Sequence, residues 1–331
     1  MIKKKLTNLL ISSFVTIILL TITLEATYRL QLFDFYKPEL NGLNRSSELN
    51  SNKKKILVCG DSFTADPNSY VKLLKDSLQN YAVINAAVPG TGILQQTLYI
   101  KDRIHNYQPD IFIYQFYTGN DLFDITHPVS SNSLSLTRKC YWWLSDHLLS
   151  LAFLNYRFAG WRYQFYDDGG GSYKPKIKEE YSFENYSKRE KLNYQADPQL
   201  IENTLFLKNG REHDFEIFKK EFLKIIELLG PDTKIFFIII PHQSQLSLPY
   251  FERHSQLGSL SSVEYYNYTS AQTPLYSEIL KMCNKQLTLI DPLEMYKRED
   301  TKQPVYYNND PHLNSTGQSL LGQLLLKIIN N

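Results

Sequence analysis

Ser62 stands just beyond a short apolar run, Ile56-Leu57-Val58-Cys59, from which it is separated by Gly60 and Asp61. The run is partly β-branched, with lysines before it and a glycine after it, which reads as a buried strand that stops at a tight turn. A serine in that place is held by a sheet while its hydroxyl faces outward, as a nucleophile requires. Gly, Asp and Ser are also the commonest turn residues, so the tripeptide alone has a purely structural reading. Three later stretches carry residue types that suit the same chemistry: residues 85–90, Gly119-Asn120-Asp121, and Asp310-Pro311-His312. Acyl transfer needs an activated hydroxyl, a base, a group that orients the base, and donors for the developing oxyanion.

The elements between these stretches are those of an α/β sheet. Val71, Leu73, Leu74 and Leu78 fall at helical spacing, residues 81–85 form a second short strand, residues 93–105 are helical again, and residues 111–116 are a third buried strand. Strand, helix, strand, helix, strand is the grammar of a parallel doubly wound sheet, in which ligands sit beyond the carboxyl ends of the strands. Ser62, Gly90 and Asn120 all fall there. Further on, Phe218, Phe222, Ile225, Ile226 and Leu229 share the face of a helix over residues 212–229. Residues 235–240 are an apolar run suited to a central strand, and residues 287–290 a fifth strand. Asn314 is a favoured cap for a last helix whose apolar face is Leu320, Leu321, Leu324 and Leu325.

In their order and in their places at strand ends, Gly60-Asp61-Ser62, residues 85–90, Gly119-Asn120-Asp121 and Asp310-Pro311-His312 resemble the four sequence blocks of the SGNH/GDSL hydrolase superfamily. The resemblance implies a flavodoxin-like three-layer sandwich with a parallel five-stranded sheet, and an esterase or O-acyltransferase that needs no metal or organic cofactor. It makes Ser62 the nucleophile, His312 the base and Asp310 its orienting carboxylate. The oxyanion hole would be the N–H groups of Ser62 and Gly90 and the side-chain amide of Asn120. Asp61, Asp121 and His242 are expected to line the site. His242 follows a strand and is a rival base, but no acid adjoins it; Asp291, also at a strand end, could orient the base if Asp310 points away. Two departures stand out. Many members have two residues between acid and histidine where this chain has only Pro311, and Thr118 stands where the third block often has glycine.

Composition bounds the setting. The net charge of +2, with no basic block among the aromatic residues, implies no nucleic-acid partner. Cys59, Cys140 and Cys283 cannot all pair and are spaced for neither a zinc site nor a disulfide scaffold. Residues 6–24 carry no charge and, as a helix, would span roughly 28 Å, close to one hydrocarbon core. Lys3, Lys4 and Lys5 precede them, so the positive-inside rule keeps the N-terminus cytoplasmic and exports the rest. The reading is a cytoplasmic stretch over residues 1–5, an uncleaved membrane anchor over 6–24 in preference to a signal peptide, a tether over 25–53, and an SGNH-like domain over 54–331. Glu25 and Arg29, four apart, suit pairing on a helix that continues past the membrane.

The sheet pattern disappears over residues 122–210, which read as an insertion capping the site. Tyr141, Trp142, Trp143, Tyr156, Phe158, Trp161, Tyr163, Phe165 and Tyr166 enrich it, on helical runs broken at Gly160. Such aromatic faces stack on sugar rings, but packing of the insertion onto the core explains them more simply. Gly169 to Gly171 read as a break and residues 174–198 as a mobile loop that gates the cleft. The expectation is a membrane-anchored, extracytoplasmic acyl-ester enzyme whose partner is a glycan or glycolipid of the envelope, within polysaccharide assembly machinery. The alternative is a non-catalytic glycan-binding or scaffold protein of such machinery.

Overall fold

The structure is a computed structural model and describes residues 2–165 and 179–330, with the side chains of residues 2–4 and 159–165 left aside. Tyr166, the Gly169 to Gly171 break and the start of the expected gating loop lie outside the described residues, as do the side chains of Trp161, Tyr163 and Phe165.

The chain begins with helix α1 (Ile2–Arg29) and two short helices, α2 (Lys37–Leu43) and α3 (Ser46–Leu49). The framework follows as β1 (Lys54–Cys59), α4 (Tyr70–Ser77), β2 (Tyr81–Asn85), α5 (Ile93–Tyr107) and β3 (Ile111–Tyr117). The insertion holds α6 (Leu136–His147), α7 (Leu149–Phe165), α8 (Lys188–Ala196) and α9 (Leu200–Phe206). The framework resumes with α10 (Arg211–Leu228), β4 (Lys234–Ile240), α11 (Leu248–Gln256), α12 (Pro274–Met282), β5 (Leu287–Ile290), α13 (Leu293–Asp300) and α14 (Ser315–Ile329).

All five strands are parallel, in the order β2-β1-β3-β4-β5, the flavodoxin-like order that the resemblance implies. Both faces are covered, which is why the strands read as nearly continuous apolar runs: β3, Gln115 included, and residues 235–240 of β4 are buried throughout. Successive side chains point to opposite faces. Leu57, Phe112, Tyr114, Phe116, Phe237 and Ile239 pack with α5, α10 and α12 on one side. Ile56, Val58, Ile113, Phe236 and Ile238 pack with α4, α13 and α14 on the other.

Two expectations about connecting segments change. Residues 25–53 are folded against the domain: Tyr28, Tyr36 and Leu40 are buried, and Asn44 exchanges two 2.8 Å hydrogen bonds with the backbone of Asn85 at the end of β2. An Asn-rich polar segment looks like a tether because its buried contacts are made by tyrosines and amides rather than by an apolar stripe. Helix α7 runs through Gly160, where a break was expected; an isolated glycine costs a helix only about 1 kcal/mol.

Helix α1 is long and apolar enough to cross a membrane, and its candidate span, Lys5–Arg29, is mostly unburied. Its end is clamped to the insertion. The Glu25 carboxylate accepts the N–H groups of Leu149 and Ser150 at the start of α7, at 3.1 and 2.9 Å, and pairs with Arg29. A helix start has four N–H groups without an internal partner, so a carboxylate there meets both the dipole and the missing acceptors. Glu25→Ala is expected to cost about 1–3 kcal/mol, the penalty for buried donors left unsatisfied, read as a lower unfolding temperature of the full chain in detergent.

Candidate active site

The hydroxyl of Ser62 and the imidazole of His312 meet at the carboxyl edge of the sheet, with Oγ and Nε2 2.7 Å apart. On the other side of the ring Nδ1 lies 2.5 Å from Asp310 Oδ1, which also accepts the backbone N–H of His312 at 2.9 Å. With Pro311 as the only spacer, one carboxylate oxygen thus serves both the imidazole and the main chain. Asp291 is not needed there; its carboxylate accepts the N–H of Leu293 at the start of α13.

Each side chain is held by an identifiable device. Gly60 is required for space rather than for φ, since a Cβ there would stand 2.5 Å from Gln115 Oε1 and 2.9 Å from Thr64 Oγ1. Gln115, buried in β3, accepts from the Asp61 N–H at 3.0 Å and from Thr64 Oγ1 at 3.1 Å, binding the serine turn to the neighbouring strand. Asp61 itself closes the turn by accepting the Phe63 N–H at 2.9 Å. Phe63 then lies against the His312 ring, centroids 4.6 Å apart. His312 precedes α14, whose cap Asn314 accepts from Thr316 N and Gly317 N and donates to the carbonyls of Pro304 and Tyr306. The cap thus fixes both the helix start and the loop that carries His312.

The groups expected as oxyanion donors lie on two loops that follow β2 and β3. Val88 N–H donates to Gly60 O at 3.1 Å, so the segment leading to Gly90 runs beside the serine turn. Gly90 has φ +70°, a left-handed conformation that glycine adopts without strain. Neither Ser62 N–H nor Gly90 N–H has a protein acceptor among the described residues. Asn120 follows β3 and donates one amide hydrogen to Asp124 Oδ2 at 2.6 Å; a second hydrogen remains on the same nitrogen.

Asp61 and Asp121 are both buried, and burial pushes both carboxyls up. Asp121 lies well above the usual carboxylate range because burial is reinforced by the charge of Asp61. One of its oxygens accepts the Tyr117 N–H at 2.9 Å and the other has no partner among the described residues. Both residues therefore support the turns from beneath rather than lining an open cleft. His242 is also not at the surface of the site. It is fully buried and bonded to Glu190 at 3.0 Å and to Ser244 at 2.6 Å.

That contact belongs to a cluster of Glu190, His242 and His254, whose ligand-type atoms lie within 4.8 Å of one another. The cluster is closed by hydrogen bonds, because His254 Nδ1 and Nε2 meet the hydroxyls of Tyr194 and Tyr186 at 2.9 and 3.4 Å. Each ring nitrogen has a protein partner, so the residues are explained as a satisfied buried network. Glu190 lies on α8, which overturns the mobile-loop expectation for residues 188–196: Glu190, Asn193 and Tyr194 are all buried. The insertion also reaches the loop before Asp310 and His312 through Asn309, which donates to Glu180 O and accepts from Ser182 N–H, both at 2.8 Å. A cavity of about 350 Å³ lined by Asp197, Asn203, Asn209 and Arg211 involves none of the residues around Ser62.

Sequence reasoning missed Gln115, Asp124, Arg189 and Glu190. Gln115 alone left a signal, a polar residue inside an otherwise apolar strand. Among the aromatics of the insertion, Trp142 is buried against Phe123 and His127, whereas Trp143 is 53% exposed.

Burial pushes the His312 imidazole down, but the adjacent Asp310 carboxylate overrides it and raises the ring above its ordinary value. Burial likewise works against the Asp310 charge, and His312 outweighs it, holding the carboxyl below its ordinary range. A base acts when neutral. The acid limb of a pH-rate profile should therefore turn above about 6.5, the ordinary imidazole value, with activity lost as pH falls through the raised value. Asp310→Asn should move that inflection down while lowering kcat. The stability contributed by the raised His312 imidazole is present below about pH 6.5 and fades as pH rises through its folded-state value, whereas that contributed by the lowered Asp310 carboxyl is present above about pH 3.9 and is lost as pH falls through its folded-state value, so the pair stabilises most between the two.

No family model matches the sequence, and no curated protein matches it. Two solved structures align over most of both chains. One is a lipase from a goat rumen metagenome, 14% identical, covering 83% of this chain and 97% of its own, with a TM-score of 0.41. The other is a GDSL-like lipase from Bacteroides thetaiotaomicron, 12% identical, covering 89% and 95%, with a TM-score of 0.31.

Proposed function

We propose that this chain is a serine-dependent acyl-ester enzyme that works through an acyl-enzyme on Ser62. The observation that carries the reading is the continuous relay from Ser62 Oγ through the His312 ring to Asp310, at 2.7 and 2.5 Å. His312 takes the hydroxyl proton as Oγ attacks the ester carbonyl, and the oxygen that becomes negative is received by the N–H groups of Ser62 and Gly90 and the amide of Asn120. The tetrahedral adduct collapses as His312 returns the proton to the leaving alcohol. Water or a sugar hydroxyl, deprotonated by the same ring, then removes the acyl group. Asp310 remains ionised and holds the imidazole in the tautomer with its acceptor toward the serine. No step calls for a metal.

The substrate is a glycan or glycolipid of the cell envelope, a reading supported by α1 and by the lysines before it, since by the positive-inside rule they would stay in the cytoplasm with the domain on the outer side. Hydrolysis and transfer differ only in the acceptor. A fluorophosphonate is expected to label the full chain and not Ser62→Ala; an intact protein that fails to label removes the enzymatic reading in favour of glycan binding. Acetate release from an acetylated donor, measured with and without an oligosaccharide acceptor, separates the two reactions: an acceptor that diverts acetyl groups onto itself identifies a transferase.

A further inference from the structure

The amide of Asn120 is useful as an oxyanion donor only if its nitrogen, not its oxygen, faces the developing charge. Nothing in an asparagine side chain enforces that choice, because the terminal torsion is broad and the two ends are nearly the same shape. Here a carboxylate enforces it. Asp124, four residues further on in the turn after β3, has its Oδ2 2.6 Å from Asn120 Nδ2, while its backbone N–H donates to Asn120 O at 2.8 Å. An ionised carboxylate only accepts, so it pairs with the NH2 end and would repel the carbonyl end. One amide hydrogen is spent on this contact and the other is left in a set direction.

Asp124 is in turn fixed from the insertion. Arg189 Nη2 lies 2.7 and 2.9 Å from its two oxygens, and His127 Nε2 is 3.7 Å from Oδ1. His127 is itself immobilised, its Nδ1 and backbone N–H both engaged by Asp146 and its ring stacked on Trp142 at 4.7 Å. The Arg189 side chain is 56% exposed, but its backbone is on α8, where the next residue, Glu190, is anchored to His242 beneath the end of β4.

We propose that Asp124, held by Arg189 of the insertion, is a positioning residue that sets the orientation of the Asn120 amide, so that the insertion completes the oxyanion hole rather than merely covering the site. This rests on the acyl-enzyme reading, and the test separates the two. With the full chain in detergent and p-nitrophenyl acetate as substrate, Asn120→Ala is expected to lower kcat about 100- to 1000-fold. Asp124→Asn, which can present a donor as readily as an acceptor, is expected to lower kcat about 10- to 100-fold with KM within about twofold, because only the transition state loses an interaction. The double variant Asn120→Ala/Asp124→Asn should be no slower than Asn120→Ala alone, since a positioning residue has nothing left to position. Arg189→Lys should retain most of the activity that Arg189→Ala loses, and the Arg189 variants provide the same cycle if Asp124→Asn does not fold. Losses that multiply in the double variant, or an unchanged kcat in Asp124→Asn, overturn the proposal while leaving the acyl-enzyme intact. An unchanged kcat in Asn120→Ala removes the oxyanion role and this proposal with it, and an active Ser62→Ala removes the acyl-enzyme itself.

Discussion

A hydrogen bond between side chains 250 positions apart cannot arise from local preference, and the contact of Ser62 with His312 is such a bond. It depends on two anchors that meet only once the sheet exists. At one end, β1 stops at a glycine whose missing side chain admits Gln115 from β3. At the other, Asn314 binds the start of α14 to the preceding loop, while Gln318 on that helix donates to Phe63 O at 3.0 Å and accepts the Tyr70 N–H at 2.9 Å. Hydroxyl and imidazole are therefore positioned by main chain that is itself hydrogen-bonded, so little of their alignment is left to side-chain rotation.

The carboxyl edge of the sheet is unusually polar for a protein interior. Gln115, Asp61, Asp121, Thr64, Asn85 and His242 are all buried there, and each uncompensated group would cost on the order of 1–3 kcal/mol. Most are satisfied by backbone N–H and C=O groups of the loops they support, so the polar layer sets loop shape. Among the described residues, Gln115 Nε2, the Tyr117 hydroxyl at the end of β3 and one oxygen of Asp121 are buried there without a partner. An apolar layer would offer no directional grip on the turns that carry Ser62 and Asn120.

The strands and the four site blocks were legible in the sequence because their signals are local: apolar runs ending in glycine, small residues and polar side chains. The five strands begin and end within a residue or two of where the apolar runs place them. Helix α8 was not legible, because its buried positions are Glu190, Asn193, Tyr194 and Ala196, and amphipathic periodicity does not register a helix buried mainly through polar side chains. For the same reason His242 read as a residue facing the site. A histidine after a strand says where the backbone goes, but not that Glu190, 52 positions earlier, waits beneath it. Residues 25–53 failed in the same way, since Asn44 bonds to Asn85 through an amide that carries no periodic signal.

The joint at Glu25 bears on how such a domain meets its substrates. A globule on a slack leash samples a hemisphere set by the length of the leash and can reach for distant polymer. One whose first helix is locked by a carboxylate to the start of α7 has little swivel or reach, so with α1 in a bilayer the edge that carries Ser62 would stay at one height and one tilt. Under the proposed function, a substrate would then have to be delivered to that plane, and the distance between membrane and Ser62 would act as a ruler for which part of it is reached.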